Sequence, residues 1–333
     1  GMVVVRMDDQ NKNLLLATVL SFVVILVWFV GGPMLFPQWF PEEPVAQQTV
    51  APEAPATAEA PAATTSATEP APEAPRVTID TPKLSGSLSL AGGRIDDLSL
   101  KTYRETIDPA SPEVRLLSPV GKDYPYYAVF GWQAGNGLDV ADVPDAKTLW
   151  TVAGNTNLTP ETPVTLIWTN TKGLTFTRTV AIDADFMFTI TDKVENKGTA
   201  EARLAPYGIV ARHGLPKLQG TYVVHEGLVR RTDGTFEEID YSSFEDFSEA
   251  EGQGFANKTS ATTDGWIGFT DHYWMTTLIP EQGEPWQSVE KFTPKGSSDF
   301  EIYQVEVRHD VIAIAPGAAT EVTLAAKLTL GLL

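Results

Sequence analysis

Two hydrophobic patterns divide this chain of 333 residues. The first is continuous: Leu14 to Val30 carries no charge, and the apolar stretch runs on through Gly31, Gly32, Pro33, Met34 and Leu35. Roughly 20 apolar residues are what a helix needs to cross a ~30 Å hydrocarbon core, so residues 14–35 are predicted to form a transmembrane helix. Leu14 and Phe22 lie in its body. Trp28 and Phe29 sit with Phe36, Trp39 and Phe40 at its far end, where amphipathic rings settle at headgroup level. The only cations nearby, Arg6 and Lys12, precede it, and no Lys or Arg follows until Arg76. Cationic flanks stay in the cytoplasm, so residues 1–13 are expected inside and everything past the helix outside. The run is longer than a signal-peptide core and no A-x-A site closes it, so a retained anchor is expected.

The second pattern begins at Arg76 and has a period of two. Leu174, Phe176, Arg178, Val180 and Ile182 alternate with Thr175, Thr177, Thr179 and Ala181, and Phe186, Phe188 and Ile190 alternate with Met187, Thr189 and Thr191. Such alternation marks half-buried strands. Further strands are predicted over 83–90, 113–117, 124–132, 164–169, 201–210, 265–270, 273–279, 300–307 and 321–330. Turn signals separate them at Gly92-Gly93, 170–173, 195–198, 232–234 and Lys295-Gly296. No long amphipathic helical stripe follows Arg76. Many short strands with Gly and Pro turns imply an all-β, two-sheet sandwich over residues 76–333.

Between the two patterns lies an Ala/Pro/Glu-rich linker, residues 36–75. From Pro41 to Pro75 its only charged residue type is Glu, and it has too little apolar surface to offset the entropy of ordering, so a mobile leash is expected. The net charge of −19 argues against nucleic acid as a partner, because a binder must neutralise phosphates with clustered cations. It also disfavours an anionic membrane surface. No cysteine is present, which excludes disulfides, zinc-cysteine sites and thiol nucleophiles.

The candidate chemistry is sparse. Glu237, Glu238, Asp240, Glu245, Asp246, Glu249 and Glu251 offer carboxylates for a hydrolase, yet such a run usually solvates a loop or edge. His213, His225, His272 and His309 lack the spacing of a zinc site. His213 or His272 could serve as a general base, against the ordinary reading of a surface or core histidine. Gly252-Gln253-Gly254 lacks the third glycine of a dinucleotide site, and no nucleophile elbow or phosphate loop occurs. No cofactor and no metal is expected. The densest pattern, Asp264 to Pro280, reads as two strands meeting at a polar Thr270-Asp271 corner with alternate aromatics for a core, an aromatic ligand platform being the lesser alternative.

That stretch carries a resemblance. With Met7-Asp8-Asp9-Gln10-Asn11-Lys12-Asn13-Leu14, Thr81 to Leu88 leading into Ala91-Gly92-Gly93-Arg94-Ile95, and His225-Glu226-Gly227, the string Gly265 to Trp274 resembles the N-terminal portion of the YidC membrane-protein insertase family of Gram-negative type. The likeness covers Met7 to about Thr320, and the tail after Glu321 does not share it. It implies a bacterial inner-membrane protein whose periplasmic domain is a β-supersandwich similar to galactose mutarotase-like folds. It also implies work on nascent membrane proteins, in the lipid bilayer, beside the Sec translocon with SecD and SecF. Family members continue into a core of five membrane helices, which this chain lacks, so a fragment or a frameshifted or truncated reading is expected.

Three functions therefore stand open: a tethered, non-enzymatic insertase domain acting as scaffold, a membrane-anchored carbohydrate-binding or mutarotase-like domain, and a chaperone that holds clients on strand edges. The expected partner surface is Tyr222 to Tyr241, with Arg230, Arg231, Glu237 and Glu238.

Overall fold

The structure, a computed structural model, describes residues 67–215, 225–250, 254–271, 273–296 and 299–330. The expected anchor with Leu14, Phe22, Trp28 and Phe29, most of the linker, Glu251 and His272 lie outside the described residues. Among the described residues no helix is long and apolar enough to cross a membrane.

The strands in chain order are β1 (Arg76–Asp80), β2 (Leu84–Ser89), β3 (Arg94–Arg104), β4 (Glu113–Leu117), β5 (Tyr126–Ala134), β6 (Thr151–Ala153), β7 (Asn157–Leu158), β8 (Val164–Thr169), β9 (Leu174–Ile182), β10 (Met187–Asn196) and β11 (Ala202–His213). They continue as β12 (Gly227–Thr232), β13 (Thr235–Asp240), β14 (Glu249–Ala250), β15 (Gly254–Ala261), β16 (Gly265–Thr270), β17 (Trp274–Pro280), β18 (Trp286–Thr293), β19 (Ile302–Arg308), β20 (Ile312–Ile314) and β21 (Ala319–Leu330). The larger sheet runs β14-β15-β18-β19-β11-β5-β3-β2-β1-β7, with β20 on β11 and β4 on β3; the smaller runs β13-β12-β16-β17-β21-β10-β9-β8-β6. Apolar faces of both sheets share one core, in which Phe130, Trp132 and Val305 from the larger sheet join Phe176, Phe188, Ile267 and Phe269 from the smaller. The expected all-β, two-sheet sandwich is what forms.

β9 and β10 carry out their alternation to the residue, with burial switching at every position. Arg178 therefore points inward. Its Nε and Nη2 donate to the two carboxylate oxygens of Asp192 at 2.7 Å each, and its Nη1 donates to the Phe130 carbonyl of the opposite sheet at 3.0 Å. The Gly92-Gly93 turn has φ of +74° and +59°. A Cβ at Gly92 would lie 2.3 Å from the Ala146 carbonyl, so this turn needs both the left-handed backbone and the missing side chain.

The central strands β5 and β11 depart from half-burial. Tyr127, Val129, Tyr207, Ile209 and Ala211 form a second apolar cluster with Ala67 and Ala146, so both faces of these strands are covered. Part of that cover corrects the linker boundary. Ala67 is fully buried, the Glu69 carbonyl accepts from Arg94 Nη2 at 3.2 Å, Glu69 also pairs with Lys147, and the Pro75 carbonyl accepts from Leu90 N–H. Residues 67–75, expected to be mobile, are a strap on the domain. Ala67 is small enough to be covered completely, Lys147 pairs with the Glu69 carboxylate, and Arg94 takes its carbonyl.

β1 was not predicted although Val77 and Ile79 alternate inward between exposed Arg76, Thr78 and Asp80; β3, β15 and β18 carry no sustained apolar alternation that announces them. In β3 and β18 the cause is visible, since Arg94, Asp96, Ser288, Glu290 and Lys291 occupy buried positions that a binary pattern reads as outward.

Candidate functional site

The expected partner surface falls on the β12–β13 hairpin, at one edge of the smaller sheet. Strand alternation splits its arginines. Arg230 turns into the interior and is 4% exposed; its Nε donates to Glu237 at 2.7 Å and its Nη1 to Glu290 of the opposite sheet at 2.9 Å. Burial opposes its charge, but the two carboxylates outweigh burial and raise its pKa. Arg230 is thus no surface residue, and that expectation is corrected: it is an internal tie between the sheets, held there because two carboxylates offset its desolvation. Glu237 is spent on the same tie. Arg231, 3.7 Å from Asp264, and Glu238 are exposed and remain open to a partner. Between the two strands Asp233, at φ +48°, accepts from the N–H groups of Thr262, Thr263 and Asp264, which clamps the hairpin to the next segment and holds its carboxyl below the usual range.

The histidines are distributed rather than gathered. His213 is buried, its Nε2 3.0 Å from the Tyr127 hydroxyl, and burial together with Arg94 pushes it down to about 4. His309 is also lowered by burial. His225 has Nδ1 3.0 Å from Asp240 and Nε2 2.9 Å from the Leu228 carbonyl, so both ring nitrogens are engaged. Of the acidic run, Asp240 and Glu238 are solvated and Glu237 is paired, as charge runs usually are.

A cleft lies elsewhere, where β16 turns into β17. It encloses about 530 Å³ and is lined by Arg104, Glu105, Val114, Arg115, Leu116, Ser118, Asp123, Tyr124, Tyr126, Arg212, Glu226, Asp271, Tyr273 and Trp274. Arg212 Nη1 contacts both oxygens of Asp271 at 2.6 Å and the Tyr241 hydroxyl at 2.9 Å, while Tyr241 donates to Asp271 at 3.0 Å. The Arg212 guanidinium lies over Tyr126, 4.7 Å from the ring centre. Burial works against its charge, and Asp271, Tyr241 and Tyr126 outweigh burial to raise its pKa. No described histidine lines the cleft. The Thr270-Asp271 corner was expected to turn the chain between two packing strands, with an aromatic ligand platform as the lesser reading. It does so, and it also brings Asp271, Tyr273 and Trp274 into the cleft. Arg212, 59 residues away in sequence, gave no local signal.

Comparison with known proteins places this geometry. Residues 76–326 match the family described as the YidC periplasmic domain, which extends past Thr320, where the motif likeness ended. The reason is structural: β21 pairs with both β10 and β17 inside the smaller sheet. The membrane protein insertase YidC of Cereibacter sphaeroides is 50% identical over 319 residues, covering 95% of this chain and 51% of that protein. That of Dinoroseobacter shibae is 49% identical over 342 residues, covering 98% and 54%. The chain thus spans about half the length of the curated relatives it matches. Among solved structures, a putative aldose 1-epimerase from Escherichia coli aligns with TM-score 0.47 and 12% identity over 77% of this chain and 99% of that one, a likeness too loose to bear on function.

Proposed function

We propose, from the premise that this chain belongs to the YidC periplasmic-domain family, that it is the membrane-tethered periplasmic part of an insertase, with its N-terminus in the cytoplasm. The domain is a scaffold for contact with nascent membrane proteins or with partners such as the Sec translocon with SecD and SecF, and it carries out no chemistry of its own. The observation that carries this reading is the family match over residues 76–326, which spans the folded sandwich from β1 into β21. The mutarotase-like alternative needs a histidine and a carboxylate converging on one cleft; among the described residues His213 is turned to Tyr127 and His225 to Asp240 and Leu228, and no described histidine lines the cleft. Arg231 and Glu238 are the part of the expected contact surface that a partner can reach.

Expression of the full chain in a Gram-negative host tests this. The chain is expected in the inner-membrane fraction, cut by protease added to spheroplasts but not to intact cells, and released to the soluble fraction when residues 14–35 are deleted. A chain that stays soluble with those residues present, or a domain shielded in spheroplasts, removes the tether and its orientation. A photocrosslinker at Arg231 or Glu238 should form adducts with partner or client; adducts only at positions outside the β12–β13 hairpin remove this surface.

A further inference from the structure

Seven large hydrophobic side chains are markedly exposed among the described residues, and four of them lie in the cleft's lining or on segments next to it in sequence: Ile107, Tyr124, Leu215 and Tyr273. Tyr124 and Tyr273 line it. Ile107 follows Glu105 of the lining by two residues. Leu215 follows Gly214, where a Cβ would lie 3.3 Å from Phe300 and 3.9 Å from Tyr124. Scattered exposed apolar residues need no explanation, but a cluster marks an interaction surface.

Ile107 stands fully in solvent at the tip of the β3–β4 hairpin, and the tip is built rather than loose. Glu105 N–H bonds the Pro112 carbonyl, Ser111 N–H the Asp108 carbonyl, and Ala110 N–H the Asp108 carboxylate. Tyr124 is held at φ +50°, a strained conformation for a bulky residue that points to a functional constraint at the rim. Behind the rim the cleft lining carries both signs, Arg104, Arg115 and Arg212 with Glu105, Asp123, Glu226 and Asp271 among four aromatic rings; Arg212 pairs with Asp271, while Arg104 and Arg115 also reach Glu113 and Asp97 at its margin.

We propose that this cleft receives the headgroup of a zwitterionic phospholipid, and that Ile107 and the surrounding rings dock the domain on the bilayer surface. This rests on the reading of the chain as membrane-tethered. Arginine recognises a phosphate oxygen through charge-assisted hydrogen bonds, and an ammonium is favoured by aromatic faces and carboxylates. A purely anionic headgroup would meet the four carboxylates and a chain of net charge −19; a zwitterion meets complementary groups of both signs. Tyrosine and tryptophan rings with arginine stems at the rim are the side chains that settle where hydrocarbon gives way to headgroup.

The absence of cysteine makes the test clean. The full chain carrying Ile107→Cys, or Val140→Cys as an exposed control away from the cleft, is labelled with an environment-sensitive dye and reconstituted into phosphatidylethanolamine–phosphatidylcholine vesicles. A nitroxide lipid should quench the label at 107 at least about threefold more than at 140. Replacing the zwitterionic lipid with phosphatidylglycerol, or adding Arg104→Glu, should bring 107 down to the control. Equal quenching at both positions, or quenching indifferent to headgroup and to Arg104→Glu, overturns the proposal. So does quenching by a nitroxide-labelled apolar peptide but not by lipid, which would make the cleft a client site. Flotation separates the premises: a chain that floats with vesicles while 107 stays unquenched loses the docking and keeps the tether, and one that fails to float loses both.

Discussion

A cation that falls in step with Leu174, Phe176, Val180 and Ile182 is the residue on which the sandwich interior turns. Arg178 is fully buried, forked onto Asp192, stacked 4.8 Å over Trp150 and bonded to a backbone carbonyl of the facing sheet, while Asp192 also accepts from Trp132 Nε1 at 2.9 Å. Removing one partner strands the other without water. Asp192→Leu is expected to cost about 3–5 kcal/mol, and the double variant Arg178→Met, Asp192→Leu to recover most of it. Urea denaturation of both variants checks this; a double variant as unstable as the single one would contradict it. The inward position of Arg178 was legible from the alternation. Its partner was not read: Asp192 continues the period of Phe188 and Ile190, but only the fold sets it against Arg178. Arg230 was not legible either: flanked by Val229, Arg231 and Thr232, it has no alternation to say which arginine is inside, and its partner Glu290 lies 60 residues away.

Among the elements, the strap at 67–75 shows where composition misleads. An Ala/Pro/Glu tract lacks the apolar area to fold alone, yet the sheet supplies the surface and Arg94 and Lys147 supply partners. Ala67→Glu places a carboxylate against Tyr127, Val129 and Ile209, and burial of an unpaired polar group costs roughly 1–3 kcal/mol. The expected outcome is faster hydrogen exchange at 67–75 and weakened protection in β5 and β11, with β9 and β10 unchanged. If protection in β5 and β11 stays as it was, the strap does not cover them. β5 and β11 were readable as strands because Tyr126 to Trp132 and Ala205 to Ala211 are almost wholly apolar, but period-two reasoning cannot say that a second layer lies outside. β3 and β18 were unreadable for the converse reason: buried polar residues interrupt the period because partners from other strands satisfy them, as Arg76 does Asp96 and Glu306 does Lys291.

For the whole molecule, His213 and His309 shape the response to mild acid. His213 is pushed down to about 4 and His309 is lowered, whereas an unfolded histidine titrates near 6.5. In that window the unfolded chain binds protons that the folded one refuses, so stability is lost as pH falls through it, by at most about 1.4 kcal/mol per pH unit for each histidine. Asp96, raised by burial, acts in the opposite sense at lower pH. The urea midpoint should fall from pH 7 to pH 5, and more shallowly in His213→Gln; equal slopes would show that His213 is not the group responsible. By itself the sequence determined the strand period, the two-sheet class and the family likeness, because hydrophobic periodicity and motif order are local properties of the chain. The tertiary structure alone decided which charges lie inside, that a linker end becomes a strap, and that Arg212, Asp271, Tyr124 and Trp274 meet in one cleft. Those outcomes depend on desolvated partners drawn from strands tens of residues apart, and no local pattern encodes such pairings.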